Sequence, residues 1–219
     1  MLTAAATRVV AVEVFGQRLH VWFEPGPGEV ARRRRAGAGP LVDVGLLRAL
    51  MDVPAGIAIP LAEAGDQVQA ALDWLVAASA VDVAGRRVVR RAVPPVAVVG
   101  LARSCVTRAE VEAVAFLQTI APCLAVAATR QLAGRALRLV VGDVGVAYFT
   151  ADGAVVLRVP GRRRVRPSWQ GWFVAEVAWA ASINEAAVGA QAVLPGVDVD
   201  AHVVEAGNGL WAPQPAAGR

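Results

Sequence analysis

Between Val42 and Val93, prolines and glycines interrupt the chain at short intervals, and this punctuation limits the available folds more than any other feature of the sequence. Val44, Leu47 and Leu50 or Met51 recur at helical spacing until Pro54 and Gly56 stop them. Ile57-Ala58-Ile59 is a short apolar stretch, after which Pro60 takes the first position of a brief helix over LAEA that ends at Gly65. Asp66, with Gln69 three residues later, predicts a capped start for a third helix that buries Val68, Ala71, Leu72 and Leu75. The run VDVAGRRVVRRAV then reads as strand, turn at Gly85, and strand.

Helix, short strand, helix, turn, helix and a two-stranded flap is an order that resembles the winged helix-turn-helix family over residues 43–93. The resemblance implies a DNA-binding protein, a transcriptional regulator with a C-terminal effector or dimerisation domain. Gln67 and Gln69 would then touch bases, and Arg86, Arg87, Arg90 and Arg91 of the flap would hold the phosphate backbone. The outward side of the third helix otherwise presents Asp66, Ala70 and Asp73, so no cation there would meet a phosphate. The alternative is a non-catalytic adaptor that binds a peptide or protein in a biosynthetic or secretion complex. The peptide-recognition domains of ribosomal-peptide maturation systems are similar to winged helices and place a β element ahead of three helices. Here RVVAVEVFGQRLHVWFE supplies such an element, a hairpin turning at Gly16-Gln17.

The expected class is therefore α+β: a hairpin and winged-helix domain over residues 1–93, a small α+β domain over 96–207, and a tail over 208–219, with Pro94-Pro95 as the joint. In the second domain VAVVGLA reads as a strand, and Thr107 with Glu110 as a capping box opening a helix. The apolar run 113–128 reads as buried helix kinked by Pro122, and residues 137–160 as strands with a hairpin turn at Asp152-Gly153. Ser168 is placed to cap a last helix.

All of the 22 basic residues are arginine, in a chain crowded with Ala, Val and Gly as GC-rich coding produces, so the net charge of +4 argues only for a general attraction to polyanions. Secondary basic contacts fall at Arg32, Arg33, Arg34 and Arg35, in a segment read as a mobile loop, and at Arg162, Arg163 and Arg164. Trp172, Glu176 and Trp179 recur at helical spacing and make a candidate effector pocket, against the plainer reading of a core stripe with a rim carboxylate paired to an arginine. Cys105 precedes the Thr107 cap, where a helix start can favour a thiolate, and Cys123 reads as core. His20 and His202 lack ligand spacing, no nucleotide loop or nucleophile motif occurs, and neither an enzyme, a cofactor nor a metal is expected. Two isolated cysteines make a reducing cytoplasm the expectation, and with no apolar run as long as the roughly 20 residues a bilayer demands the chain is expected off the membrane, and as a candidate homodimer.

Overall fold

The structure is a computed structural model, and it describes residues 7–139, 142–150, 153–161 and 166–188. The chain opens with strands β1 (Arg8–Val14) and β2 (Gln17–Pro25), an antiparallel hairpin that sets Val10 opposite Val21 and Val12 opposite Leu19. Its turn is Phe15-Gly16, one residue earlier than expected, and both residues have positive φ (53° and 66°). That geometry suits the right-handed twist of the strands. The unfavourable φ of Phe15 is offset by ring contacts with Trp169 and Phe173, at centroid distances of 6.1 and 5.5 Å.

Helix α1 (Pro27–Arg35) follows, where the sequence pointed to a mobile loop. Pro27 suits the first turn, and Glu29 pairs with Arg32 and Arg33 three and four residues on, so the arginine run is held as a helix. Helix α2 (Val44–Asp52) begins where Asp43 accepts a hydrogen bond from the Leu46 amide at 2.8 Å. Then come β3 (Ala58–Pro60), a 3-10 turn (Leu61–Glu63), α3 (Asp66–Ala70), α4 (Leu72–Ala77), β4 (Val81–Ala84) and β5 (Arg87–Arg90). The remaining elements are β6 (Val96–Cys105), α5 (Arg108–Leu117), β7 (Cys123–Ala127), α6 (Arg130–Leu139), β8 (Gly145–Thr150), β9 (Gly153–Arg158) and α7 (Trp169–Val188). The class is α+β.

The described residues form two compact units, the first from 7–101, 119–121 and 166–188 and the second from 102–118, 122–139, 142–150 and 153–161. In the first, β6 lies beside β2 and a separate small sheet runs in the order β3-β5-β4, all antiparallel. One apolar cluster joins Leu47 and Leu50 of α2, Val68 and Leu75 of α3 and α4, Val81 and Val88 of the small sheet, and Trp172 of α7. Helix α7 also packs on β1 and β2, so it belongs with the N-terminal elements and not with the second domain expected from the sequence. The proline pair is bound into the same unit. The Gly26 amide donates to the Pro95 carbonyl at 2.9 Å, and a Cβ on Gly26 would meet that oxygen at 2.9 Å, so the approach needs glycine.

In the second unit the strand order is β6-β7-β8-β9, with β7 and β8 parallel and joined through α6, and β8 and β9 antiparallel. Val111, Val114, Ala133, Ala136, Val146 and Ala147 are buried there. Two expectations are corrected. The apolar run 113–128 is not one kinked helix, because α5 ends at Leu117 and β7 begins right after Pro122. Residues 137–139 are the end of α6 and not strand. The β8-β9 hairpin forms as expected, while Asp152 of its turn lies outside the described residues.

Candidate functional site

The third-helix segment is built differently from the single capped helix read in the sequence. Gly65, at φ 79°, takes the N-cap position, so Asp66 is already inside the helix and caps nothing. At Ala71 the backbone leaves helical geometry (φ −104°, ψ 11°), dividing the segment into α3 and α4. Val68 and Leu75 face the core. Asp66, Gln67, Gln69 and Asp73 face solvent, together with Trp74 and Val76, which remain 46% and 45% exposed. On α4 the exposed indole has Asp73 as its sequence neighbour, Asp66 lies on α3, and Val76, two positions from Trp74, projects from the other side of the helix.

The four flap arginines do not act as one group. Arg86 is exposed at the turn beside Gly85. Arg87 donates to the Ala58 carbonyl at 2.7 Å, across to β3, and Arg91 pairs with Asp82 at 2.6 Å on the surface. Arg90 turns inward: it donates to the Leu50 carbonyl at 2.7 Å, its guanidinium lies 5.2 Å from the centre of the Trp172 ring, and its Nε is buried with no partner. Burial pulls its pKa below the ordinary arginine value. The side chain thus ties the flap to α2 and α7.

Arg32–Arg35 are divided in the same way. Arg33 is 1% exposed and forms a two-pronged ion pair with Glu176, its Nη1 and Nη2 lying 2.8 and 2.7 Å from the two carboxylate oxygens, while Nε reaches Glu29 at 2.6 Å. Arg32 binds Glu29 and the Ser79 carbonyl, at 2.7 Å for the latter. Arg34 and Arg35 are exposed. Glu176, wholly buried, also accepts from the Trp172 Nε1 at 2.8 Å and the Leu41 amide at 2.9 Å. The Arg33 guanidinium lies 5.2 Å from the Trp179 ring centre. So Trp172, Glu176 and Trp179 do come together, around an arginine of this chain: both oxygens of the carboxylate are taken up, in the core and not at the rim where the plainer reading placed it. Burial raises the Glu29 carboxyl, yet the hydrogen bonds from Arg32 and Arg33 outweigh it and leave the group below its ordinary value.

Sequence reasoning missed Glu29 and assigned Arg33 to solvent. The signal was present in Pro27 followed by Glu29 at three and four residues before two arginines, a helix start with paired side chains.

Elsewhere the Thr107 capping box forms, with the Thr107 hydroxyl accepting from the Glu110 amide at 3.3 Å and Glu110 accepting from the Thr107 amide at 2.8 Å. Ser168 caps α7 through the Gly171 amide at 3.1 Å. Cys105 is fully buried and burial pushes its thiol up to about 11, the reverse of activation; Cys123, on β7 and not in a helix, is pushed to about 12. Burial, aided by Arg18, lowers the pKa of His20. Among the described residues no cluster of metal-ligating side chains occurs, and no helix is long and apolar enough to cross a membrane. Arg162, Arg163 and Arg164 lie outside the described residues. Comparison with known protein families, curated proteins and solved structures finds no match to this chain.

Proposed function

We propose that the first unit is a non-catalytic adaptor, a winged-helix-type module that docks a protein partner on the face of α3 and α4. The observation that carries this reading is Trp74, nearly half exposed on a segment whose polar side chains are Asp66, Gln67, Gln69 and Asp73. Tryptophan is the residue type that most often dominates the energy of a protein interface. Carboxylates on the same surface repel phosphate and favour a partner with basic groups around an apolar centre. The small sheet β3-β5-β4 beside α2, α3 and α4 supports the winged-helix reading.

A second reading, a DNA-binding regulator, draws support from Arg86, Arg87 and Arg91, which are exposed on the flap, and from Gln67 and Gln69. It has less to work with, since Arg90 is engaged internally and Arg91 has Asp82 beside it.

The test is a photo-crosslinking residue at position 74 of the full chain, used in the cells that make it. The adaptor reading expects one protein adduct, displaced by excess wild-type chain but not by a Trp74→Ser chain of unchanged circular dichroism. Adducts that both chains displace equally, or none at all, would reject it.

A further inference from the structure

We propose that the first unit carries a second binding site, a cavity between α1, α7 and the β1-β2 hairpin, and that its ligand is a small apolar monocarboxylate, an alkyl or aryl tail ending in one carboxylate. The cavity has a volume of about 580 Å³, within the roughly 300–1,000 Å³ usual for small-molecule sites. Phe23 from β2, Val30 from α1, and Trp179 and Ile183 from α7 give it an apolar wall. Two charged side chains, Arg8 and Arg34, also line it, and no Asp or Glu does. Among the described residues neither guanidinium has a hydrogen-bond or ion-pair partner, in contrast to Arg32, Arg33, Arg90 and Arg91 of the same unit.

The chemistry of the occupant follows from this lining. A hydrocarbon tail gains by leaving water chiefly for the Val30 and Ile183 surface, with Phe23 and Trp179, themselves buried, behind it; this gain depends on area and not on shape-specific polar contacts. Charge-assisted bonds from guanidinium to carboxylate are among the strongest available to a partly exposed site, and here two uncompensated cations face one apolar space. A cationic ligand would be repelled. A neutral one would gain the tail contacts alone. Ser182, also on the wall, donates its hydroxyl back to the Trp179 carbonyl at 2.7 Å and so adds little polarity.

The wall is also held in place before any ligand arrives. Trp179 stacks near Arg33, and Arg33 is fixed to Glu29 of its own helix and to Glu176 of α7, so the buried ion network sets the gap between the two helices that bound the cavity. Binding then has to order chiefly the exposed Arg8 and Arg34 side chains, not the apolar wall. This explains why an effector pocket built on Trp172, Glu176 and Trp179 themselves would be filled: those residues form the support, and of the three only Trp179 faces the open space.

The inference is independent of the docking face on α3 and α4. Its test is titration of the full chain with decanoate, followed by calorimetry and tryptophan emission, with decanol and decylammonium as controls of equal tail. Saturable binding of one decanoate per chain is expected, and Trp179→Phe should remove most of the emission change. Arg8→Gln and Arg34→Gln should each weaken binding about tenfold, on the order of 1.4 kcal/mol apiece. Ala31→Trp, which fills the space from an exposed position, should abolish binding with the circular dichroism intact. Absence of saturable binding, equal affinity for decanol or decylammonium, wild-type affinity in the Arg8→Gln/Arg34→Gln chain, or binding undiminished by Ala31→Trp would each overturn the proposal.

Discussion

Replacing Glu176 by Gln keeps the shape of the side chain and removes only its charge and one of its two acceptor oxygens. In the native chain those oxygens receive four donors, Nη1 and Nη2 of Arg33, the Leu41 amide and the Trp172 Nε1, all within 2.7–2.9 Å. A glutamine offers one oxygen, so its amide nitrogen must confront donors that have nowhere else to turn, and the 1% exposed Arg33 keeps only Glu29 as counter-charge. Breaking a buried ion pair by removing one partner costs about 3–5 kcal/mol, and retention of Glu29 places this case near the lower end. For a chain of this size ~3 kcal/mol corresponds to a fall in Tm of roughly 6–12 °C. Urea denaturation followed by tryptophan emission, with a thermal scan beside it, gives both quantities. Replacing the pair together, Arg33→Met with Glu176→Gln, should cost less than Glu176→Gln alone, since no unpaired charge is then buried, the glutamine oxygen is left for the Leu41 amide or the Trp172 Nε1, and Glu29 still has Arg32. A Glu176→Gln loss under about 1 kcal/mol, or a double variant less stable than it, would refute the reasoning.

Three further outcomes are expected. With its thiol raised by burial from 9.0 to about 11, native Cys105 should hold a hundredfold less thiolate near pH 8 than an ordinary cysteine, about a thousandth of the group, so Ellman's reagent should label it only on unfolding. Thr107→Ala should cost about 1 kcal/mol in a urea titration of the second unit, because the hydroxyl that accepts from the Glu110 amide is lost while its reciprocal bond remains. The folded-state pKa of Glu29 lies below the ordinary 4.5, so its contribution is present above that value and lost as pH falls through the lowered one. Urea midpoints measured from pH 6 downward should therefore drop less steeply below about 4.5 in Glu29→Gln than in the wild type.

What the sequence revealed was what is decided locally. The alternation around Gly16, the spacing of Val44, Leu47 and Leu50, the capping box at Thr107 and the cap at Ser168 each depend on residues within one or two turns of one another, and each formed where the pattern pointed, the hairpin turn shifted by one residue. The errors cluster where a distant residue decides. Arg33 reads as solvated charge until Glu176, 143 residues away, is placed beside it. Arg90 reads as part of a basic flap until Leu50 and Trp172 surround it. Pro122 could kink a helix or end a connection, and strand pairing of the following residues with Val146 and Ala147 chose the second. In the third-helix segment the hydrophobic spacing was right and the continuity was wrong, since Val68 and Leu75 reach the core on either side of a break at Ala71. The candidate site divided along the same line: Trp172, Glu176 and Trp179 were legible as a stripe, while their arginine partner was not.

Anisotropy titration of a labelled random DNA duplex at two salt concentrations separates protein docking from DNA reading in a single experiment. If the α3-α4 face serves a protein, association will be weak, and Gln67→Ala with Gln69→Ala will leave it unchanged at both salts. Tight binding that weakens steeply with salt, and that falls with Gln67, Gln69 and the exposed arginines Arg86, Arg87 and Arg91, would contradict that role.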